Sequence, residues 1–258
     1  MADHLLFDAQ GPLLRITINR PEKRNALSRA VLQELAEAFT QQAANHEWKL
    51  IILSGAGDKN FAAGGDLRDL SQVRSEQQAA DMSHQARRTL DAISRFPVPV
   101  VAALNGDALG GGAELAVACD FIVAPSTSRI GFIQGKLNIA TAWGGGSRLM
   151  QRVGATTALR LLARSELLQA DAACQLGLID AVAEPGESLE ACLHTFTSPM
   201  LGQATQVLRA FKALALGQHQ GLTATEMREL ETHHLVTTWT HPDHWAAADK
   251  ILNARSSS

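Results

Sequence analysis

Apolar and polar positions along the chain fall into short runs with two different periods. Residues 5–8 and 13–19 flank Gln10-Gly11-Pro12. The second run alternates Leu14, Ile16 and Ile18 with Arg15, Thr17 and Asn19, which predicts a β-hairpin. Behind Ser28, a favourable N-cap, Val31, Leu32, Leu35, Ala36, Phe39 and Ala43 recur at helical spacing and predict an amphipathic helix over 28–46. Continuous apolar runs at 50–53 and 98–104 read as buried strands, each followed by a glycine-rich turn. The first turn ends at a helix expected near Asp66, and the second passes Gly110, Gly111 and Gly112 into an Ala-rich helix over 113–119. A helix is expected over 81–95, strands over 121–124 and 130–132, and a loop over 133–143. Gly144-Gly145-Gly146-Ser147 opens a further helix ending near Gly154, and helices over 156–164 and 170–177 lead to a last strand at 178–183. Beyond Pro199 the pattern is almost wholly helical, over 200–216, 223–240 and 242–254. Strands alternating with helices give an α/β class with parallel pairing. The expected division is a core over 1–198 and a helical C-terminal region over 199–258.

The chemistry concentrates at the second turn. A run of glycines lets a ligand approach the backbone, and a helix opening there presents free N–H groups to a negatively charged oxygen. Glu114 lies one turn in, and helical side chains lean toward the N-terminus, so its carboxylate reaches the same place. The plainer alternative is that Glu114 only complements the helix dipole and that the glycines only permit close packing. Two strands that each end in a glycine-rich turn can direct two N–H groups at one oxygen, as an oxyanion hole does. The sequence holds no P-loop, no Gly-x-Gly-x-x-Gly dinucleotide turn and no Gly-x-Ser-x-Gly nucleophile elbow.

Composition narrows the field. Of 258 residues, 46% are hydrophobic and 19% charged, which is ordinary for a globular protein, and a net charge of −3 offers no bulk attraction to nucleic acid or an anionic membrane. Cys119, Cys174 and Cys192 have no metal-type spacing and are odd in number, which fits a reducing compartment. No signal peptide and no membrane-length apolar run is evident, so a cytoplasmic protein is expected. His233, His234, His241 and His244 lack companion ligands at metal spacing and read as surface helix. Asp66 reads as a helix cap and Asp120 as structural, while Asp69 and Asp107 are left undecided.

Four segments together resemble the crotonase superfamily, also called the enoyl-CoA hydratase/isomerase family. They are Asn19-Arg20-Pro21 with Asn25-Ala26-Leu27, Phe61 through Leu67, Asn105 through Asp120, and Ala173 through Ile179. The resemblance implies a ββα superhelix with C-terminal helices that build homotrimers or dimers of trimers, and acyl-CoA thioester substrates. No cofactor is implied beyond the coenzyme A carried by the substrate. It implies an enolate whose oxygen is held by two backbone N–H groups, mapped to Ala63 and Gly111. Lys23, Arg24, Ala26 and Leu27, with Ala63, Gly64, Gly65 and Asp66, match the positions that embrace CoA. Lys23, Arg24 and Arg68 are candidate phosphate contacts.

The sequence departs from the family's hydratases at one place. Of the two glutamates those enzymes share, one maps to Glu114, but the other maps to Gln134. Gln cannot titrate, so a two-carboxylate hydration is unavailable, although Gln can still position water or a substrate carboxylate. Loss of CO2 from a malonyl-type thioester asks for less: an oxyanion hole, an oriented carboxylate and one proton. Trp143-Gly144-Gly145 resembles the Trp-Gly-Gly motif of ethylmalonyl-CoA decarboxylases, with Trp143 and Gly144 as candidate substrate contacts, and the tail His234–Trp239 is also similar to that group. Decarboxylation is therefore ranked ahead of hydration with Glu114 alone. Isomerase, thioester hydrolase and non-catalytic CoA-binding roles stand as further alternatives.

Overall fold

Each apolar run and the turn behind it become two strands in two different sheets. In the computed structural model, which describes residues 3–255, the order is β1 (Leu5–Gln10), β2 (Leu13–Ile18), α1 (Arg29–Gln42), β3 (Leu50–Gly55), β4 (Asn60–Ala62), α2 (Leu67–Leu70), α3 (Glu76–Ser94), β5 (Val100–Ala103), β6 (Asp107–Leu109) and α4 (Gly111–Ala116). Then come β7 (Phe121–Pro125), β8 (Arg129–Gly131), α5 (Gly145–Val153), α6 (Ala155–Arg164), β9 (Leu168–Gln169), α7 (Ala170–Gln175), β10 (Ala181–Ala183), α8 (Leu189–Leu201), α9 (Thr205–His219), α10 (Ala224–Trp239) and α11 (Pro242–Arg255). A six-stranded sheet runs β1-β2-β3-β5-β7-β10 and a four-stranded sheet runs β4-β6-β8-β9. The chain thus winds as a spiral: β3, β5 and β7 lie side by side in parallel in the first sheet, and their successors β4, β6 and β8 do so in the second.

The large sheet is covered on both faces, which is why its central strands are continuous apolar runs rather than alternating ones. Ile51 and Leu53 of β3 join the core formed with α1 and α3, where Phe39 meets Phe96 edge-on at 5.6 Å. Leu50 and Ile52 turn to the opposite face and pack with Cys192 and Leu193 of α8. Arg15 of β2 reaches that helix through Glu190 at 2.6 Å.

The hairpin forms as expected, with Leu5 opposite Ile18, and Ser28 caps α1 by accepting the Val31 N–H at 3.3 Å. Other boundaries move. The helix expected over 81–95 starts at Glu76, because Ser75 and Gln78 form a capping box ahead of a polar first turn. The helix expected over 113–119 is the shorter α4, and the last strand is confined to Ala181–Ala183. The all-helical region begins at Leu189, so a division at residue 198 falls inside α8, with Pro199 in its last turn. That helix covers the face of the large sheet opposite α1 and α3. The short strands β4, β6 and β9 fall where turn or loop was expected.

Candidate active site

Two glycine-rich turns are tied to the loop after β2 by buried polar groups. The Arg20 guanidinium donates to Asp66 at 2.9 Å and to the Ala26 carbonyl, with both ionic side chains about nine-tenths buried. Asp66 also caps α2 through the Arg68 and Asp69 N–H groups. Burial alone would raise its pKa, but the Arg20 hydrogen bond, the two amides and the Arg20 charge outweigh that and hold the carboxyl below its usual range. Asn25 Nδ2 donates to the carbonyls of Ala56 (2.9 Å) and Asn60 (2.7 Å). Asn105 Nδ2 donates to Gly57 (2.8 Å) and Asn60 (3.1 Å). The backbone completes the seam: Leu27 N–H donates to Gly64, Asp66 N–H to Leu27 and Ala63 N–H to Arg24.

That last bond corrects an expectation. The Ala63 amide is committed to the Arg24 carbonyl at 3.1 Å and is not free to hold an oxyanion. Gly64 takes a left-handed φ of 101° and turns the chain, and the amide of Gly65 that follows donates to nothing among the described residues. Gly111, the first residue of α4, has no intrahelical acceptor for its N–H. The two glycines flank one object, the indole of Trp143: a Cβ at Gly65 would stand 3.5 Å from its Cη2, and one at Gly111 only 2.4 Å from Cζ3. A Cβ at Gly64 would lie 3.6 Å from the Gly111 nitrogen, so the two turns abut. The pair of free amides is therefore Gly65 and Gly111.

Glu114 sits behind this pair and is 2% exposed. Its Oε2 accepts the N–H groups of Trp143 (3.1 Å) and Gly145 (2.9 Å), and its Oε1 accepts Gln134 Nε2 at 2.8 Å. Desolvation is the largest influence and raises its pKa; the hydrogen bonds from Gly145, Gln134 and Trp143 only partly offset it. A Cβ at position 145 would fall 2.4 Å from Glu114 Cγ, so only glycine fits there. Gln134 is itself buried, in a 3-10 turn spanning Gln134–Leu137, and its Oε1 has no hydrogen-bond partner among the described residues. The structure brings together Glu114, Gln134, Trp143, Gly111 and Gly65.

The remaining candidates lie farther out. Lys23, Arg24 and Arg68 are exposed, Leu27 is buried, and Ala26, Ala63 and Gly144 are half-buried, with Gly144 at a φ of 95° before α5. Asp69 pairs with Arg29 and Asp107 with Arg129. Asp120 holds the Val100 amide and Lys212. A cavity of about 1290 Å³ lies between α9 and the C-terminal end of α4, lined by Arg148, Arg152, Asp180, Phe211 and Lys212 but not by Glu114 or Gln134. His233 meets His234 edge-on, and His244 lies tilted over Trp239; among the described residues no group of three His, Cys, Asp or Glu is placed to hold a metal. Sequence reasoning placed Gly65 among the CoA contacts rather than as an amide donor, and missed Gly145 and the wiring through Asn25 and Asn105. The adjacent glycines 64 and 65 were the available signal.

Comparison with known proteins places these observations. The family model described as enoyl-CoA hydratase/isomerase matches residues 8–250. A crotonyl-CoA hydratase from Syntrophomonas wolfei is 33% identical over 213 residues, covering 83% of this chain and 81% of that protein. The ethylmalonyl-CoA decarboxylase of Mus musculus is 30% identical over 247 residues, covering 95% of this chain and 76% of that protein. Among solved structures, an enoyl-CoA hydratase from Bacillus anthracis superposes with a TM-score of 0.90 at 28% identity, covering 98% of this chain and 97% of that one.

Proposed function

The chain belongs to the enoyl-CoA hydratase/isomerase family, and from that premise we propose that it decarboxylates a malonyl-type acyl-CoA through an enolate. The observation that carries this reading is that the buried carboxyl of Glu114 has the non-titrating Gln134, not a second carboxyl, as its side-chain partner. Addition of water to an enoyl thioester needs one group to take a proton and another to deliver one, whereas decarboxylation needs only delivery. A pKa raised by burial keeps Glu114 a proton donor nearer to neutral pH than an exposed glutamate.

The thioester oxygen lies between the N–H groups of Gly65 and Gly111, in place of the water that would otherwise solvate it. As the C–C bond to the carboxylate breaks, its electron pair forms the enolate, CO2 departs, and negative charge grows on that oxygen. Donors fixed in place by the fold cost no reorganisation, and each contributes about 3 kcal/mol in sites of this type. Glu114 then gives its proton to Cα and regains one from solvent. Trp143, 6% exposed, walls the chamber and keeps the charge in a poorly screened environment. The loop from Lys23 to Leu27, zipped to Gly64–Asp66, supports the adenosine end of CoA, with exposed Lys23, Arg24 and Arg68 available to its phosphates. Exposed Leu235, Val236, Trp239 and Trp245 on α10 and α11 support assembly through the C-terminal helices.

Incubation with methylmalonyl-, ethylmalonyl- and crotonyl-CoA tests the reading. CO2 release from a malonyl-type thioester, without 3-hydroxyacyl-CoA from crotonyl-CoA, is the expected result. Rapid hydration of crotonyl-CoA with no CO2 release would replace it with the hydratase reading, for which the Syntrophomonas wolfei relative is the precedent.

A further inference from the structure

The hydrogen bonds around Glu114 leave one polar atom over. Gln134 is 8% exposed, its Nε2 donates to Glu114 Oε1 at 2.8 Å, and its Oε1 accepts from nothing among the described residues. We infer that the Gln134 side-chain amide turns over with the protonation of Glu114, so that this one residue offers an acceptor to a hydroxyl or water in one state and a donor to a substrate carboxylate in the other. The inference rests on the acyl-CoA reading of the site and deepens it.

The argument is one of donor and acceptor counting. An ionised carboxylate only accepts, so Nε2 of Gln134 must face it and Oε1 must face away. The open valence is then an acceptor. It suits a donor such as water or a hydroxyl, and it repels an ionised carboxylate, which has no hydrogen to give. A proton on Glu114 cannot sit on Oε2, because the Trp143 and Gly145 N–H groups already point there. It must sit on Oε1, facing Gln134. An O–H there needs an acceptor, and a half-turn about the last side-chain bond supplies it: Oε1 of Gln134 accepts from Glu114, and Nε2 swings outward as the open valence. A carboxylate is then welcome. The same proton that Glu114 delivers to Cα therefore prepares the site for the carboxylate that must precede it, and its departure returns Gln134 to the other setting.

Among the described residues no other titratable side chain hydrogen-bonds to either residue. On the elements packed around them, Asp66 is paired with Arg20, Asp107 with Arg129, Arg148 with Asp91 and Arg152 with Asp180. Arg160 and Arg164 are paired with Glu166, and Lys136 is exposed.

Two ligands of matched length separate the settings. Succinyl-CoA ends in a carboxylate and 4-hydroxybutyryl-CoA in a hydroxyl, and their shared CoA phosphates cancel in a ratio of dissociation constants. From pH 8.5 to 5.5 that ratio should shift toward succinyl-CoA by about tenfold in the wild-type protein, the scale of a hydrogen bond to a charged group. In Gln134→Met, which keeps the length but has no amide, the shift should fall to the part due to plain repulsion by Glu114. In Glu114→Gln, whose amide fixes the neutral setting, the ratio should stay flat at the wild-type low-pH level. A wild-type ratio that does not move with pH, a shift as large in Gln134→Met as in wild type, or a flat Glu114→Gln ratio at the high-pH level each overturns the inference. Because only binding is read, these outcomes are independent of whether the malonyl-type substrates are turned over.

Discussion

Glu114→Gln loses turnover by about 10²–10⁴-fold, the usual contribution of a positioned proton donor, while acyl-CoA binding survives. The loss falls on kcat, because the amide cannot deliver a proton to Cα but can still accept the Trp143 and Gly145 N–H groups that Oε2 accepts now. The same variant gains stability, and the gain depends on pH. A carboxyl whose pKa is raised on folding binds its proton more tightly in the native state. Stability therefore falls as pH rises from the ordinary glutamate value through the raised one. Gln carries no such penalty. Its melting temperature should match wild type near pH 4 and exceed it at pH 8. Turnover within a few-fold of wild type would remove Glu114 from the chemistry, whereas a wild-type protein that turns over no thioester would leave the CoA-binding scaffold as the better description.

Gly112→Ala unfolds or severely weakens the protein, by about 3 kcal/mol, the upper end of ordinary overpacking costs. A Cβ at 112 would stand 2.0 Å from the Ala62 carbonyl oxygen and 2.8 Å from its carbon. Neither atom can step aside, because β4 is held by its pairing with β6 and by two side-chain amide bonds, from Asn25 and Asn105, to the Asn60 carbonyl. This glycine is where the second sheet meets α4, and so it sets the distance between the turns that carry Gly65 and Gly111. Urea unfolding reads the change as a lower midpoint at unchanged slope. Gly11→Ala serves as the comparison: its φ of 59° is unfavourable, but nothing lies within 4 Å, so its cost is confined to about 1–2 kcal/mol of backbone strain. Equal stability of the two variants would contradict the seating of α4 on β4.

What the sequence made legible, and what it hid, divides along local and non-local lines. The hairpin, α1 with its Ser28 cap, and the buried strands β3 and β5 are written in periodicity and in single capping residues. Most of the second sheet is not: β8 shows as an apolar run, but β4, β6 and β9 each span three residues or fewer, too short for a period to show, and exist because their partners are beside them. Helix α8 was hidden because Pro199 reads as a breaker, yet it falls near the C-terminal end, where the helix gives up one backbone hydrogen bond and stops two residues later. Glu114, Gln134, Trp143 and Gly111, singled out from motif positions, lie together in the candidate site. The assignment of Ala63 failed because an amide's freedom depends on which carbonyl faces it, and Arg24 arrives from a loop far upstream. The unpartnered Gln134 oxygen was equally invisible, since it follows from the positions of Trp143 and Gly145 around Glu114.

The central claim is that one carbonyl oxygen is held by two backbone amides. A crystal structure of Glu114→Gln with a bound acyl-CoA thioester tests it most directly. The expected result places the thioester oxygen within about 3.1 Å of the nitrogens of both Gly65 and Gly111, the spacing that such donors need, with the Ala63 amide still bound to Arg24. A thioester oxygen that meets neither nitrogen, or one that takes the Ala63 amide away from Arg24, would contradict it.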